Sequence, residues 1–421
     1  MRFFFTALSY LLFGIAFPFL ALHPKLRKGL GRRFGFYGTP RHGAGRPTVW
    51  MHGASAGDIG ALHPTALALR KLRPDCLLVL STVTDSGSIM AKKLSSTFDF
   101  VTFQPYDLPG PVRRTFDALR PDVVVLEYTE LWPQLIYEAR RRQIPVVLHN
   151  GRFSPGSMLR YKTLFKLMGN LLTPLAALLV RDEHEAERAR ELGARPEQVE
   201  VTGNTKFDNI PRTPPHDKLL ELREAFGLDD QEPVWVAGST HEGEEEDLLR
   251  VFKTLRQEFP TLRMVIVPRY LERIDRIAGM VKREGLSVGL RSSGEGPADV
   301  GLLDSVGELS ACYALGTVVF VGGSFVARGG QNILEPAGCG RPVIFGPNMR
   351  NFADSVKVLL GRGGLQAATT DQLLEIIQEL LRRPDYCEEL GQLAHAQVLQ
   401  VQGAALRNAT RINEYLPAVE S

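Results

Sequence analysis

Short apolar runs alternate with longer amphipathic stretches along most of this chain. Residues 47–52, 76–82, 122–126 and 145–149 are rich in Val, Leu and Ile, and each run ends near a polar or glycine-rich turn. Amphipathic segments such as 59–73 and 131–142 lie between them. Strands buried on both faces read as continuous apolar runs, and parallel strands need helical crossovers. The alternation therefore predicts a doubly wound α/β sheet. It breaks at PRTPPHD, 211–217, where three prolines disfavour both helix and strand. It resumes with apolar runs at 233–237, 263–268, 317–321 and 341–345, and closes with a helical stretch over 370–411. At 421 residues, two Rossmann-like domains facing a central cleft are expected. They span 25–210 and 233–421, joined by a linker at 211–232, and the last helix is a candidate to return to the first domain. Ligands of such sheets bind outside the carboxyl ends of the strands.

Residues 3–22 carry no charge and are dominated by Phe, Leu, Ile and Ala. About 20 such residues can cross a bilayer as a helix. Arg2 precedes the stretch, while Lys25, Arg27, Lys28, Arg32 and Arg33 follow it. A cleaved signal peptide would have a shorter apolar core with its basic residues in front. The reading is a membrane anchor over 1–24, with the body held on the cytoplasmic side by the basic flank, which can also meet anionic headgroups. A net charge of +3 makes no case for nucleic acid as the partner. Cys76, Cys312, Cys339 and Cys387 have no metal-ligand spacing and read as small core residues.

Five segments carry chemistry. In FVGGSFVARGGQNILEP, 320–336, a buried strand runs into glycine pairs and then a helix beginning near Asn332. Glycines admit a close ligand, and a helix N-terminus favours an anion. Gly323, Ser324, Asn332 and Glu335 form a candidate nucleotide site, with Glu335 able to accept hydrogen bonds from two ribose hydroxyls. The structural alternative is a tight turn capped by Asn332. In VAGSTHEGEE, 236–245, Ser239, Thr240 and His241 stand at a strand's carboxyl end. Glu242, Glu244 and Glu245 suit the first turn of the following helix. Arg269, after another strand, is placed near the phosphate or the base. In WMHGASAGDIG, 50–60, Asp58 is either a helix-capping acid or a general base. In EYTELWP, 127–133, Glu130 and Trp132 can face the same cleft, or simply open a helix at Pro133. The basic stretch 150–166, with Arg140, Arg141 and Arg142, is either a solvated face or a surface for an acidic, phosphorylated acceptor.

Taken in order, these motifs resemble the Kdo (3-deoxy-D-manno-octulosonic acid) transferases of lipopolysaccharide assembly. Further blocks that carry the resemblance are RRFGFYG (32–38), PYDLP (105–109), TGNTKFD (202–208), GEL (307–309) and the spaced Asn150, Arg152, Ser154, Ser157 and Tyr161. The resemblance implies a GT-B fold and an inverting transfer from CMP-Kdo to a lipid A precursor at the inner membrane. It implies neither metal nor cofactor, because CMP-Kdo is a co-substrate. It makes Asp58 the general base, with Glu130 on the acceptor side. Lys206 would meet the donor's negative charge, and the nucleotide contacts would be Ser239, Thr240, His241, Arg269, Gly323, Ser324, Asn332 and Glu335. Arg152, Ser154 and Tyr161 would meet the acceptor. The chain departs from the family's usual pattern with Asp58 in place of Glu and EYTE in place of METE. It also has Gln331 and Tyr270 at positions where His is common, and Gly156 where Arg is common. Two other readings are a GT-B enzyme for a different nucleotide sugar, which a UDP preference would reveal, and a paralogue that binds lipid A precursor without turnover.

Overall fold

The computed structural model describes residues 2–22, 28–37, 45–210, 214–294 and 296–418. The chain divides into two compact units. One is Met1–Asn209 together with Gln402–Ser421, and the other is Ile210–Val401.

The first unit holds β1 Thr48–His52, β2 Leu77–Thr82, β3 Phe100–Phe103, β4 Val123–Glu127, β5 Val146–Gly151, β6 Ala177–Val180 and β7 Val199–Val201. They form one sheet in the order β3-β2-β1-β4-β5-β6-β7, and every pairing is parallel. β1, β2, β4 and β5 are buried along their whole length, because helices cover both faces. The strand order reverses between β1 and β4, and a ligand crevice is expected at such a switch point.

The second unit repeats the plan with β8 Val234–Thr240, β9 Arg263–Pro268, β10 Val288–Leu290, β11 Val300–Leu302, β12 Val318–Val321, β13 Val343–Phe345 and β14 Gly364–Gln366. The order is β10-β11-β9-β8-β12-β13-β14, again parallel throughout, with the switch between β8 and β12.

All eight apolar runs read from the sequence are strands. The stretch read as a linker contains helix His216–Phe226, which buries Leu222 and Phe226 within the second unit. Residues 211–213, at the expected crossing, lie outside the described residues. The final helix, Ala404–Asn413, belongs to the first unit. Its Ala409 and Ile412 share a core with Ile59, Leu62, Ala66 and Leu69, and Asp208 accepts from Gly403 N (2.5 Å) and Ala405 N (2.8 Å).

The apolar N-terminus is helical over Arg2–Leu22, but its surroundings differ from those of a spanning anchor. Phe13 and Phe17 pack against Phe34, and Phe13 also against Tyr106, with ring centroids 4.8–6.0 Å apart. Tyr10 Oη accepts from Gly110 N, and Thr6 Oγ1 from the Gln134 amide. One face of the helix therefore lies against the first unit. Among the described residues no helix is long and apolar enough to cross a membrane. The basic flank is also engaged, as far as it is described. Lys28 pairs with Asp85, Arg32 donates to Val101 O, and buried Arg33 donates to Val83 O above the Phe103 ring. Lys25 and Arg27 lie outside the described residues.

Candidate active site

At the first switch point, β1 ends in His52 and the chain turns through Gly53 into helix Ala56–Leu72. Ser55 and Asp58 form a reciprocal capping box: Ser55 N donates to Asp58 Oδ2 (2.8 Å), and Asp58 N donates to Ser55 Oγ (3.4 Å). The capping role thus occupies one carboxylate oxygen. Asp58 Oδ1 has no partner among the described residues, and the side chain is half-buried, so an oxygen remains for a substrate hydroxyl. Gly53 makes room here, since a Cβ would stand 3.1 Å from that of Asp58.

Across the switch, β4 ends in Glu127 and turns through Tyr128, whose φ of 52° is left-handed. Below this turn lies a buried polar network. His149 meets Glu127 Oε2 (2.5 Å) and Thr65 Oγ1 (2.8 Å), and the Asn150 amide donates to Glu127 Oε1 (3.0 Å) and Thr205 Oγ1 (2.6 Å). All five members are fully buried, and together they tie helix Ala56–Leu72, β4, β5 and the Lys206 loop into one unit. Tyr128 Oη lies within the fields of Glu127, Arg181, Asp58 and Arg152, and burial pushes the phenol well above its ordinary range. The Lys206 ammonium stands 5.4 Å from the Tyr128 ring centroid, without a carboxylate partner among the described residues. Glu130, partly exposed, completes the group.

Of the residues expected to meet the acceptor, Arg152 is exposed just beyond β5. Ser154 Oγ bonds Ser157 Oγ (2.8 Å), and Tyr161 packs against Phe153 and Phe165; both stay partly exposed. Of the arginine triplet, Arg141 and Arg142 pair with Glu138.

At the second switch point, β8 ends in Ser239, with φ 56°, and Thr240, followed by buried His241. His241 Nδ1 faces the Ser239 carbonyl at 3.0 Å, so it is the donating nitrogen of this bond. Arg269 N donates to Thr240 O, while its guanidinium is exposed beside the Tyr270 ring.

The glycine loop departs from the expected arrangement. Glu244, 1% exposed, accepts from the backbone N–H groups of His241 (2.9 Å), Gly323 (2.8 Å), Ser324 (3.0 Å) and Phe325 (3.0 Å). The amides of Gly323 and Ser324, expected to meet a phosphate, are therefore held by an internal carboxylate. Ser324 Oγ is likewise committed, donating to Val321 O and accepting from Gly346 N. The helix expected near Asn332 is Leu334–Gly338, five residues long and too short for much of a dipole. Asn332 caps Leu334 N and donates to Glu335 Oε1 (3.0 Å). Burial raises the Glu335 carboxyl above its ordinary range, against the stabilising Asn332 amide. The Tyr313 hydroxyl bonds Ser239 and lies in the field of Glu335; a Cβ on Gly238 would strike its ring.

Sequence reasoning missed His52, the Glu127–His149 pair, Glu244 and Tyr313. The only signal was position, because each lies at or just beyond the carboxyl end of a strand, or packs on one.

Comparison with known proteins agrees with this layout. The family model described as 3-deoxy-D-manno-octulosonic-acid transferase (kdotransferase) matches residues 28–209. The 3-deoxy-D-manno-octulosonic acid transferase of Haemophilus influenzae is 32% identical over 428 residues, covering 99% of each chain. Among solved structures, UDP-GlcNAc 2-epimerase from Neisseria meningitidis has a TM-score of 0.56 at 14% identity, covering 87% of this chain and 99% of that one. A glycosyltransferase from Rickettsia africae has the same TM-score at 10% identity, covering 88% and 99%. These two likenesses show the fold, two parallel-sheet α/β units of GT-B type, and a fold shared by an epimerase and a transferase does not choose the reaction. The sequence relationship does, over the full length: the chain belongs to the 3-deoxy-D-manno-octulosonic acid transferase family.

Proposed function

We propose that this glycosyltransferase transfers Kdo from CMP-Kdo to a lipid A precursor, with inversion, and that Asp58 is the general base. The observation that carries the reading is the free Asp58 Oδ1 at the β1/β4 switch point, with the unpaired Lys206 ammonium on the same sheet end. Asp58 takes the proton of the attacking hydroxyl as the bond from the sugar to CMP breaks. Glu130 and Arg152 serve the acceptor, and Lys206 meets the donor's negative charge. In the second unit, Glu335 receives the ribose hydroxyls. Ser239, Thr240, His241 and Asn332 shape the nucleotide site around it, and Arg269 is its exposed cation. Because Glu244 holds the glycine-loop amides, the CMP phosphate is stabilised by cationic side chains such as Arg269 and not by Gly323 and Ser324. The reading calls for no bound cofactor.

The N-terminal helix supports attachment to the inner membrane in the plane of the interface. Leu11 (62% exposed), Ile15 (72%), Phe19 (66%) and Leu22 (79%) recur at helical spacing on the face away from Phe13 and Phe17.

Calorimetric titration with CMP and UDP tests the donor site. CMP should bind in preference to UDP, and Glu335→Ala should weaken CMP at least about tenfold, the loss of two hydrogen bonds to a buried carboxylate. A UDP preference would replace the donor. An unchanged CMP affinity in Glu335→Ala would remove Glu335 from the ribose site.

A further inference from the structure

His52 is fully buried at the end of β1, and its two ring nitrogens have different surroundings. Nδ1 faces Ser81 Oγ at 2.9 Å and the Ser81 carbonyl at 3.2 Å. The Ser81 hydroxyl donates its one proton to Gln104 Oε1 (3.1 Å) and accepts from Trp50 Nε1 (2.8 Å). Both oxygens therefore act as acceptors toward His52, so Nδ1 is the donating nitrogen. Nε2 has no hydrogen-bond partner among the described residues. It points at Glu130 Oε2, 3.7 Å away, with the edge of Trp132 alongside. The Glu130 carboxylate is therefore the nearest charged group to a buried ring nitrogen that has no other partner among the described residues. At 3.7 Å the contact is longer than a hydrogen bond, and it sets the carboxylate against the ring edge.

We propose that His52 is a positioning residue for transfer, acting through Glu130, whose carboxylate stands beside its Nε2. The proposal rests on the assignment of Glu130 to the acceptor side of the site. Ser81, Trp50 and Gln104 hold the imidazole from behind, so the ring is a rigid arm in the sheet. Its reach sets where the partly exposed Glu130 carboxylate stands. His52 itself does not touch substrate.

The test is steady-state transfer by the full-length protein carrying His52→Asn, His52→Gln, Glu130→Ala, or His52→Asn with Glu130→Ala. Asparagine keeps a donor at the Nδ1 position, facing Ser81, and loses Nε2. Glutamine places an amide at the Nε2 position and loses the Ser81 bond. His52→Asn should lower kcat about tenfold, the order expected when a site carboxylate loses its positioning neighbour, with little change in acceptor KM. His52→Gln should recover most of that loss, and His52→Asn should add nothing once Glu130 is alanine. A second, independent measurement is the ring nitrogen NMR shifts of His52 in otherwise native protein. They should move on Glu130→Ala while those of the other histidines stay. Glutamine as impaired as asparagine, full activity in His52→Asn, an undiminished His52→Asn effect in the Glu130→Ala background, or unmoved His52 shifts would each overturn the proposal. Absence of transfer by the unmodified protein would instead overturn the proposed function and leave the NMR measurement to decide the His52–Glu130 contact.

Discussion

A carboxylate as deeply buried as that of Glu244 needs donors on both oxygens, and it has four backbone N–H groups from two loops. In the sequence it is one of three acids in a row of four residues, Glu242, Glu244 and Glu245, all compatible with a helix's first turn. Only the fold separates them. Glu242 is exposed beside Arg276, Glu245 is fully buried against Arg273, and Glu244 joins the ends of β8 and β12. Glu244→Gln should lower stability by about 2–3 kcal/mol, because an amide N–H₂ would face amide donors. It should also raise the donor KM, since the His241 turn and the Gly323 loop lose their common tie. Thermal melts and donor titrations check both; an unchanged melting temperature would remove Glu244 as the clamp. Backbone strain falls in the same places. Tyr128, Asn150 and Ser239 have φ of 51–56°, and all stand at strand ends that carry proposed site residues. A left-handed φ at a non-glycine residue costs about 1 kcal/mol or more, and such positions cluster at functional sites. Asn150 is of a type that tolerates a left-handed φ, whereas nothing in the residue type announces the strain at Tyr128 or Ser239.

Helix Pro133–Arg141 shows what is legible at the scale of an element. Pro133 in its first turn was readable and marks its start. Its true cap comes from the PYDLP block: Asp107 accepts from Gln134 N and Leu135 N, both at 3.0 Å, while burial raises its carboxyl to about 6. Near the other end, Glu138 binds Arg141 and Arg142, and hydrogen bonds from Arg141 chiefly depress its carboxyl to about 2. A depressed carboxyl contributes stability above its ordinary pKa of 4.5, and that contribution is lost as pH falls through about 2. Glu138→Gln should therefore lower stability by about 1 kcal/mol at neutral pH. The gap should close between pH 4.5 and about 2. Denaturant titrations across that range check this, and a pH-independent difference would mean that packing, not charge, is responsible. The long central strands were legible because burial on both faces leaves an unbroken apolar run. β7, β10 and β14 were not, since three residues at or beside a sheet edge carry too little pattern.

For the molecule as a whole, the doubled α/β plan was readable from the repeated alternation, and the division of the chain is visible in the core. The last helix completes the first unit's hydrophobic cluster, which no local pattern announces. The N-terminal helix illustrates the opposite limit. Its composition reads as a spanning segment, whereas Phe13 and Phe17 are used against Phe34 and Tyr106, leaving an outward stripe. Replacing Leu11, Ile15 and Phe19 by glutamate should abolish sedimentation with anionic vesicles while leaving the melting temperature within about 2 °C, because exposed positions contribute little to folding. Retained sedimentation would move the attachment elsewhere.

The most direct measurement is a transfer assay with purified protein, CMP-Kdo generated in situ and a lipid A precursor, comparing the unmodified chain with Asp58→Ala and Asp58→Glu. Kdo-bearing product from the unmodified protein, falling about a hundredfold or more in Asp58→Ala and partly retained in Asp58→Glu, is the expected result, in line with the usual worth of a general base. Product formed at an undiminished rate by Asp58→Ala would contradict Asp58 as the base, and no product from the unmodified, folded protein would contradict the transfer itself.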